Sequence, residues 1–366
     1  MKKITYSQVG DNYDTKDPTK VLAQKSAEST AIHLAKQNFE EVADTRGESA
    51  YVWKQGNTYM ASVIEGLGTK NLIADEMRKT TGKTYYDVMS HDTVATIIND
   101  LVSVGARPLV LHAYWAIEDN SWLADVVRMK DLITGWKDAC DIARVTWGGG
   151  ETPTLKNVLR KDAIDLAGSA VGIIPLKKQL ITDRSLMIGD QIILIKSNGI
   201  NANGVSLARA LANKLPKGYA TKLSDGTYYG EALMTKTNIY ATLLQTLFAN
   251  KIYPHYVSNI TGHGFRKIMR ARQTYTYVID KILDPQLVFS FIQEVSHGTD
   301  EDMYGALNMG MDYALFVAET DLKVTQKVIK QCGFESIHAG YVEKGEKQVI
   351  IKPKNITFRG ETLGVR

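Results

Sequence analysis

Apolar and polar residues alternate along this chain with two different spacings. Short runs with alternating or continuous apolar positions predict β-strands; they cover residues 58–66, 109–117, 145–153, 163–174, 191–199, 274–280, 311–319 and 338–345. Longer stretches with apolar residues every three or four positions predict helices; they cover residues 18–38, 91–108, 121–143, 202–215, 230–251, 285–295 and 321–333. Both halves mix strands with helices, which predicts an α/β (α+β) protein.

The stretch 175–190 interrupts this pattern. A chain of 366 residues is long enough for two domains, and we predict a first domain over residues 50–176 and a second over residues 189–345. Residues 1–49 are polar and weakly patterned, so we expect a loose segment that contains one helix. Residues 343–366 hold six basic and three acidic side chains, and we expect residues 346–366 to be a solvated or poorly ordered basic tail.

Composition limits the possible functions. The chain has 44 Lys and Arg against 40 Asp and Glu, and the resulting charge of +4 is too small to indicate nucleic-acid binding. Its two cysteines, Cys140 and Cys332, form no CxxC pair. The first residues lack the apolar core of a signal peptide, and no apolar run approaches the ~18 residues that span a membrane. We therefore expect a cytoplasmic, soluble protein that binds neither nucleic acid nor a membrane.

The helix predicted over residues 91–108 has an unusual polar face. This face carries Asp92, Thr96, Asn99 and Ser103, with Asp100 at its edge, and it has no Lys, Arg or Glu. A solvated face normally carries those three residue types, whereas short oxygen-bearing side chains suit a hard cation such as Mg²⁺. Asp92 and Asp100 lie about 12 Å apart along a helix, so they cannot hold one ion together. The alternative for Asp92 is a plain N-cap.

A second candidate element is the glycine turn in "SVIEGLGTKNLIAD", residues 62–75. Glycines followed by a lysine, here Gly66, Gly68 and Lys70, are typical of a phosphate-binding turn, yet the carboxylate of Glu65 precedes them. A divalent cation between this carboxylate and a phosphate would turn repulsion into attraction. The alternative is a solvent-exposed carboxylate at the end of a strand.

Further glycine-rich turns occur along the chain. "GGGETP" (148–153) carries Glu151, and the apolar strand that follows carries Asp165, which needs a partner if it is buried. In the second half, "SNGINANG" (197–204) and "NITGHG" (259–264) follow predicted strands, where helix N-termini can bind anions. Each of these turns alone is also typical of any α/β protein. The seven histidines are scattered without metal-binding spacing, and only His263 lies inside a glycine loop.

These segments occur in the order of a known family. From about residue 50 to 345 the chain resembles the aminoimidazole ribonucleotide synthetases, also called phosphoribosylformylglycinamidine cyclo-ligases. The matching segments are "EGLGTK", "DTVATIINDLVSVGARP", "GGET", "IDLAGSAVG", "SNGINANGVSL", "NITGHGF" and "MYGALNMG". The same superfamily includes thiamine monophosphate kinase and selenophosphate synthetase. The last is disfavoured because no cysteine lies near the first glycine turn.

The resemblance implies a fold, an assembly and a reaction. It implies two α/β domains and a homodimer in which the first-domain sheets combine into a barrel. It also implies that ATP and Mg²⁺ bind in a cleft. The implied reaction belongs to purine biosynthesis: ATP phosphorylates the formyl oxygen of formylglycinamidine ribonucleotide, the amidine nitrogen attacks that carbon, and phosphate leaves. Phosphoryl transfer needs positioning and charge neutralisation more than a nucleophilic side chain, which fits a chain without a recognisable triad.

The resemblance also implies roles for individual residues. Glu65, Asp92 and Asp165 would hold metal, and Lys70, Asp92 and Asp165 would be catalytic. The nucleotide would contact Glu65, Gly66, Gly68, Thr69, Lys70, Asn99, Asp100, Gly149, Gly150 and Glu151. The substrate would contact Thr152, Asn203, Gly204, Lys236, Thr261, Gly262, His263, Gly264 and Asn308.

The chain departs from the family pattern at several of these positions. Glu65 stands where aspartate is usual, and most other departures lie on the expected substrate side; these are Asn201, Lys236, Asn238, His263 and Gly305. Three functions therefore stay open. They are the cyclo-ligase reaction, a related ATP-dependent reaction on another small amide or phosphate ester, and a non-catalytic binding subunit.

Overall fold

The computed structural model describes residues 4, 9 and 13–364 of the chain. In this part the polypeptide forms two mixed sheets with helices packed against them. The strands are β1 (Glu40–Glu41), β2 (Tyr51–Gln55), β3 (Thr58–Gly66), β4 (Arg107–Ile117), β5 (Thr146–Glu151), β6 (Ile164–Ile174), β7 (Gln191–Lys196), β8 (Tyr256–Asn259), β9 (Tyr275–Ile279), β10 (Met311–Val317), β11 (Ser336–Lys344), β12 (Gln348–Ile351) and β13 (Ile356–Arg359).

The helices lie mainly between the strands in sequence. They are α1 (Tyr13–Glu28), α2 (Ile32–Ala35), α3 (Asn71–Thr81), α4 (Tyr86–Ser103), α5 (Ser121–Ala124), α6 (Val126–Ala143), α7 (Val205–Ala212), α8 (Tyr229–Ala232), α9 (Ala241–Ala249), α10 (Leu287–Ser296), α11 (Asp300–Tyr304) and α12 (Leu322–Gln331). No helix within residues 13–364 is long and apolar enough to cross a membrane.

Each sheet is built from one half of the chain. The first has the strand order β1-β2-β3-β6-β4-β5, and the second has the order β13-β12-β9-β11-β7-β10-β8. The strand pairs are antiparallel except β4 with β5 and β12 with β9. The mixed α/β architecture predicted from the sequence is therefore confirmed.

Helix α4 lies at the centre of the molecule and contacts both halves. Its apolar residues, including Ile97 and Leu101, are fully buried and pack on the first sheet, where α4 contacts β3 and β6. Its polar residues Asp92, Asn99 and Asp100 are buried as well, because α4 also contacts β8 and α9 of the second half. The polar face is therefore an internal surface. The helix begins at Tyr86, so the alternative interpretation of Asp92 as an N-cap is wrong.

The first sheet has one covered face and one open face. Alternate residues of its central strands, such as Ala61, Leu166 and Ala170, are buried on the side that faces α4. The opposite side includes Ile64, which is 77% exposed, and Asp165, which is also exposed. The sheet therefore presents a partly apolar surface that nothing in the described chain covers fully.

Two predictions about secondary structure are wrong. The helix predicted over residues 230–251 is two helices, α8 and α9, separated by residues 233–240. The backbone of this connection forms hydrogen bonds with polar side chains of α4 and does not form the hydrogen bonds of a helix. The N–H of Thr237 donates to Asp92 at 2.8 Å, and the N–H of Tyr240 donates to Asn99 at 2.9 Å. Tertiary contacts thus override the apolar periodicity.

The expected basic tail is also wrong over most of its length. Residues 348–359 form β12 and β13 at one edge of the second sheet, with β12 parallel to β9. Alternate apolar side chains explain this, since Val349, Ile351, Ile356 and Phe358 are buried while their neighbours are more exposed. The expectation about the signal peptide concerns the first residues, which lie outside the described ones apart from residues 4 and 9.

Candidate functional site

A cavity of about 490 Å³ lies where elements of both halves meet. Its walls come from the turn after β3, from α4, from the loops before α7 and after β8, and from α1. Nine of the residues predicted to bind nucleotide or substrate line it: Glu65, Gly66, Gly68, Thr69, Asp100, Asn203, Thr261, Gly262 and His263. The structure therefore brings the first glycine turn and the "NITGHG" loop to one place, although they lie about two hundred residues apart in the sequence.

Two acidic side chains face each other in this cavity. The carboxyl groups of Glu65 and Asp100 lie close enough to interact, and the side-chain amide of Asn259 donates to Asp100 at 2.7 Å. Burial, and then the charge of Asp100, raise the pKa of Glu65 to about 7, although the nearby Lys267 acts in the opposite direction. Two carboxylates this close need either a shared proton or a cation.

Basic side chains surround this acidic pair. Lys267 is buried, and burial together with the charge of Arg270 lowers its pKa to about 8, while the two carboxylates oppose that shift. Arg270 is held in place because its guanidinium donates to the carbonyl of Gly47 at 2.6 Å and to the hydroxyl of Ser49 at 2.9 Å. The cavity thus combines a dicarboxylate pair with fixed positive charge.

Lys267 and Arg270 were not among the site residues predicted from the sequence. Lys267 and Arg270 belong to "RKIMRAR" (266–272), a dense basic stretch just after the "NITGHG" loop. Its position next to a predicted substrate loop could have indicated that these basic residues lie near the site. Lys16, Lys20 and Gln24 of α1 also line the cavity. Their spacing of four residues places them on one face of that helix, a signal that could have been read from the polar N-terminal segment.

His263 connects α1 to the glycine loop. Its ring is buried and lies 3.1 Å from the carboxylate of Asp17 on α1. Burial and the surrounding cations, with Lys267 and Arg266 foremost, lower the pKa of His263 well below its usual range, so the neutral ring donates to Asp17. This contact holds α1 over the cavity.

Lys70, Asp92 and Asn99 lie outside the cavity lining. Lys70 and Asp92 form an ion pair in which both side chains are fully buried. Asn99 donates to the carbonyl of Asn238 at 2.7 Å and accepts the N–H of Tyr240 at 2.9 Å. Asn99, and Asp92 through the N–H of Thr237, join the two halves of the molecule, while Lys70 supports Asp92 from within the first half. The predicted roles of these three residues toward a ligand stay predictions.

Another predicted group lies at the far edge of the first sheet. Gly149, Gly150 and Glu151 belong to β5, and Thr152 follows them; all four are exposed. Strand β5 is separated from β3 by β6 and β4, which corresponds to roughly 14 Å across the sheet. Within one chain these residues are therefore not part of the cavity that contains Glu65.

The three predicted metal ligands are not brought together. Glu65 lines the cavity, Asp92 is paired with Lys70, and Asp165 is exposed on the open face of the first sheet. Within residues 13–364 no group of three or more His, Cys, Asp or Glu side chains is arranged to hold a metal ion.

The remaining predicted substrate residues shape the loops around the cavity. Gly264 has φ of +55°, and a Cβ there would lie 2.3 Å from the carbonyl oxygen of Tyr304. Gly204 has φ of +77° and packs against the side chain of Leu307. The side chain of Asn308 donates to the carbonyl of Gly199 at 2.9 Å. Close packing explains these three residues without a ligand.

Lys236 also lies outside the cavity lining. Its ammonium group is 2.9 Å from Asp87, and both side chains are partly exposed. The predicted contact of Lys236 with the substrate phosphate stays a prediction.

Known proteins share this arrangement of elements. A family model described as "AIR synthase related protein, N-terminal domain" matches residues 47–174. The phosphoribosylformylglycinamidine cyclo-ligase of Methanocaldococcus jannaschii is 33% identical over 278 residues, which are 75% of this chain and 75% of the relative. The chain belongs to the phosphoribosylformylglycinamidine cyclo-ligase family. The cyclo-ligase of Methanobrevibacter smithii is 29% identical over 363 residues, which are 98% of this chain and 99% of that relative.

A solved structure supports the same fold. AaThiL, solved with AMPPCP and TMP, superimposes with a TM-score of 0.59 at 13% identity and covers 92% of this chain and 93% of its own. At this identity the likeness concerns the fold alone. Membership in the cyclo-ligase family confirms the resemblance derived from the ordered sequence segments, and the predicted fold class is confirmed with it.

Proposed function

We propose that this protein uses ATP to close the imidazole ring of aminoimidazole ribonucleotide from formylglycinamidine ribonucleotide, with release of ADP and phosphate, in purine biosynthesis. The observation that carries the proposal is the placement of Glu65 and Asp100 beside Lys267 in a cavity that both halves of the chain build. Family membership supplies the reaction class. The cavity supplies groups that suit a nucleotide phosphate.

Glu65 and Asp100 are the residues that would hold Mg²⁺. Burial and the charge of Asp100 raise the pKa of Glu65, and a bound cation would relieve the repulsion between the two carboxylates that a proton relieves otherwise. Carboxylate oxygens are the ligands that this hard cation prefers. When bound, Mg²⁺ would supply positive charge that offsets the negative charge of the nucleotide phosphates during transfer.

The protein itself would bind and orient the phosphates. The backbone of the turn at Gly66 and Gly68 is accessible because neither residue has a side chain. Lys267 and Arg270 add positive charge at the other wall. The helix α1 covers the cavity and would exclude water once a ligand is bound.

The proposal is tested by measuring ATP consumption with and without formylglycinamidine ribonucleotide. We expect turnover that needs this substrate and Mg²⁺, and we expect Asp100→Asn to lower kcat/KM at least 100-fold because one carboxylate of the facing pair Glu65 and Asp100 is lost. Glu319→Gln, a change of the same charge at an exposed residue, is the control and should leave kcat/KM unchanged. Turnover driven by another small amide or phosphate ester would favour the related ATP-dependent enzyme. A folded protein that consumes no ATP would favour the binding subunit.

We also propose that the protein is a homodimer formed through the open face of the first sheet. Ile64 projects from the last third of β3 on that face and is 77% exposed. Met60, Ala167 and Val171 lie on the same face, each only partly buried. An apolar sheet face of this kind is typical of an interface between proteins, and a second copy would place the two sheets face to face, as the predicted barrel requires.

The dimer is tested with two matched substitutions. Ile64→Asp places a charge in the centre of the face and should convert dimers to monomers in analytical ultracentrifugation. Val158→Asp introduces the same charge at a residue that is 76% exposed but lies outside the sheet, and it should leave the mass unchanged. A wild-type protein that sediments as a monomer at micromolar concentration would contradict this assembly.

A further inference from the structure

A second cavity, of about 860 Å³, lies between α3, the loop before β6 and the segment after α7. It shares no lining residue with the cavity that contains Glu65. The two cavities are nevertheless connected by α7, because Val205 and Ser206 line the first and Arg209 and Ala212 line the second. Ser206 and Ala212 are about 9 Å apart along the helix axis.

The walls of this second cavity are strongly basic. Seven basic side chains line it: Arg78, Lys79, Arg128, Arg160, Lys161, Arg209 and Lys217. Three of these cations have acidic neighbours, and those pairs are Arg78–Asp125, Lys79–Glu76 at 2.8 Å and Arg128–Asp75 at 3.8 Å. Arg160, Lys161, Arg209 and Lys217 have no carboxylate within 4 Å in the part of the chain that the structure describes. Only Asp162 remains in the lining to oppose these four charges.

Two arginines in these walls also have a hydrogen-bond donor without an acceptor. The Nε–H groups of Arg128 and Arg209 are buried, and within the described residues neither has a hydrogen-bond acceptor, although Arg128 Nε lies 4.0 Å from a carboxylate oxygen of Asp125. Arg209 reaches the hydroxyl of Tyr219 with its guanidinium, and Arg128 donates from a terminal nitrogen to the carbonyl of Trp122 at 3.0 Å. Both guanidinium groups are therefore held in position while one donor of each is unused. Buried donors of this kind normally have an acceptor.

We propose that this cavity is a second binding site, and that it binds the phosphate group of a small phosphorylated molecule. Arginine presents several N–H donors in a fixed plane that matches phosphate oxygens, and lysine adds charge. Arg160 and Lys161 come from the loop before β6 of the first sheet, whereas Arg209 and Lys217 come from the second half, so a bound phosphate would contact both halves. The concave shape fits a small molecule rather than an extended nucleic acid, and the whole chain carries only +4.

The site is tested by titrating inorganic pyrophosphate into the protein in EDTA by isothermal calorimetry. We expect binding to wild-type protein, and we expect the double substitution Arg209→Gln with Lys217→Gln to weaken it at least tenfold. Lys214→Gln is the control, because Lys214 lies near the same segment, is exposed and does not line the cavity; it should change the affinity less than twofold. A second double variant carries Arg160→Gln with Lys161→Gln. Both residues lie in an exposed loop, so this variant tests the site even if the first double variant does not fold.

A third variant separates the two cavities. Lys267→Met removes a cation of the Glu65 cavity and should leave pyrophosphate binding in EDTA unchanged. If binding is lost in Lys267→Met but kept in both double variants, or if wild-type protein binds no pyrophosphate, the proposal is overturned. The source of the phosphate is decided by kinetics. A raised KM for the phosphoribosyl substrate in the double variants identifies the substrate itself as the ligand, whereas unchanged KM with lost pyrophosphate binding identifies a separate phosphorylated ligand.

Discussion

Replacing Glu65 with glutamine should abolish most Mg-ATP binding and, at pH 8, make the ligand-free protein more stable. The carboxyl group of Glu65 is largely buried and faces Asp100, and these two conditions raise its pKa to about 7 from an ordinary 4.5. Glutamine has the shape of the protonated acid and can donate to Asp100 in the same way. It cannot carry the negative charge that would hold a cation.

The sign of the pH dependence follows from proton binding. Between pH 4.5 and 7 the folded protein keeps a proton on Glu65 that the unfolded chain has released, so the stability of the ligand-free protein falls as the pH rises through this window. Below pH 4.5 the carboxyl group of Glu65 is protonated in both the folded and the unfolded state and does not affect stability. Above pH 7 it is ionised in both states, and the folded protein bears the full free-energy cost of the buried charge. The glutamine variant lacks this cost and should gain about 1–3 kcal/mol at pH 8 relative to wild type.

Two measurements check this expectation. Urea unfolding in EDTA at pH 4.5 and pH 8 should give curves for the two proteins that nearly coincide at the lower pH and separate at the higher. Calorimetric titration with Mg-ATP should show the loss of binding, while Glu65→Asp should keep part of the affinity. Unchanged Mg-ATP affinity in Glu65→Gln would contradict the assignment of this carboxylate.

Breaking the ion pair of Lys70 and Asp92 should destabilise the protein strongly. Both side chains are fully buried. Asp92→Asn keeps the acceptor for the N–H of Thr237 and removes only the charge, which leaves the ammonium of Lys70 buried without its counter-ion. The expected loss in free energy of unfolding is about 3–5 kcal/mol, as for other broken buried pairs. An apolar double variant, Lys70→Met with Asp92→Leu, should lose less than the sum of the two single losses.

Urea unfolding of the single and double variants measures this coupling. The exposed pair of Glu76 and Lys79, 2.8 Å apart, is the control, and Glu76→Gln should change stability by less than about 1 kcal/mol. A stable Asp92→Asn protein that has lost only ATP turnover would contradict the structural role and favour the predicted catalytic one.

The sequence predicted the individual strands and helices better than it predicted how they pack against each other. The strand over residues 58–66 coincides with β3, and the glycine turn after it lines the cavity, because the apolar alternation and the turn residues are local signals. The polar face of α4 was correctly recognised as unusual. Which of its members would face a ligand could not be predicted, since Asp92 and Asp100 differ in the tertiary partners that surround them: Asp92 is paired with Lys70 and accepts from Thr237, whereas Asp100 faces Glu65 and accepts from Asn259.

The position of Lys267 could not be predicted from the sequence either. A lysine in a basic stretch is normally exposed, and no local pattern indicates that this one is buried beside two carboxylates. Its position depends on packing between segments that are far apart in the sequence, as does the hydrogen bond of Asp100 with Asn259, which are 159 residues apart. The sequence shows that these residues are charged, but only the tertiary structure shows that they lie at one cavity.

The strand order has a consequence for synthesis on the ribosome. All strands of the first sheet lie before residue 175, so that sheet can assemble while the rest of the chain is still being translated. In the second sheet β9 lies between β11 and β12, and β12 is made about seventy residues after β9. Until that strand emerges, one edge of β9 stays unpaired and is open to pairing with another nascent chain. The polar face of α4 waits longer, because Thr237, Tyr240 and Asn259 follow their partners on this helix by 145, 141 and 159 residues. The interval between the completion of the two sheets is therefore when this protein is most exposed to misassembly and most in need of a chaperone.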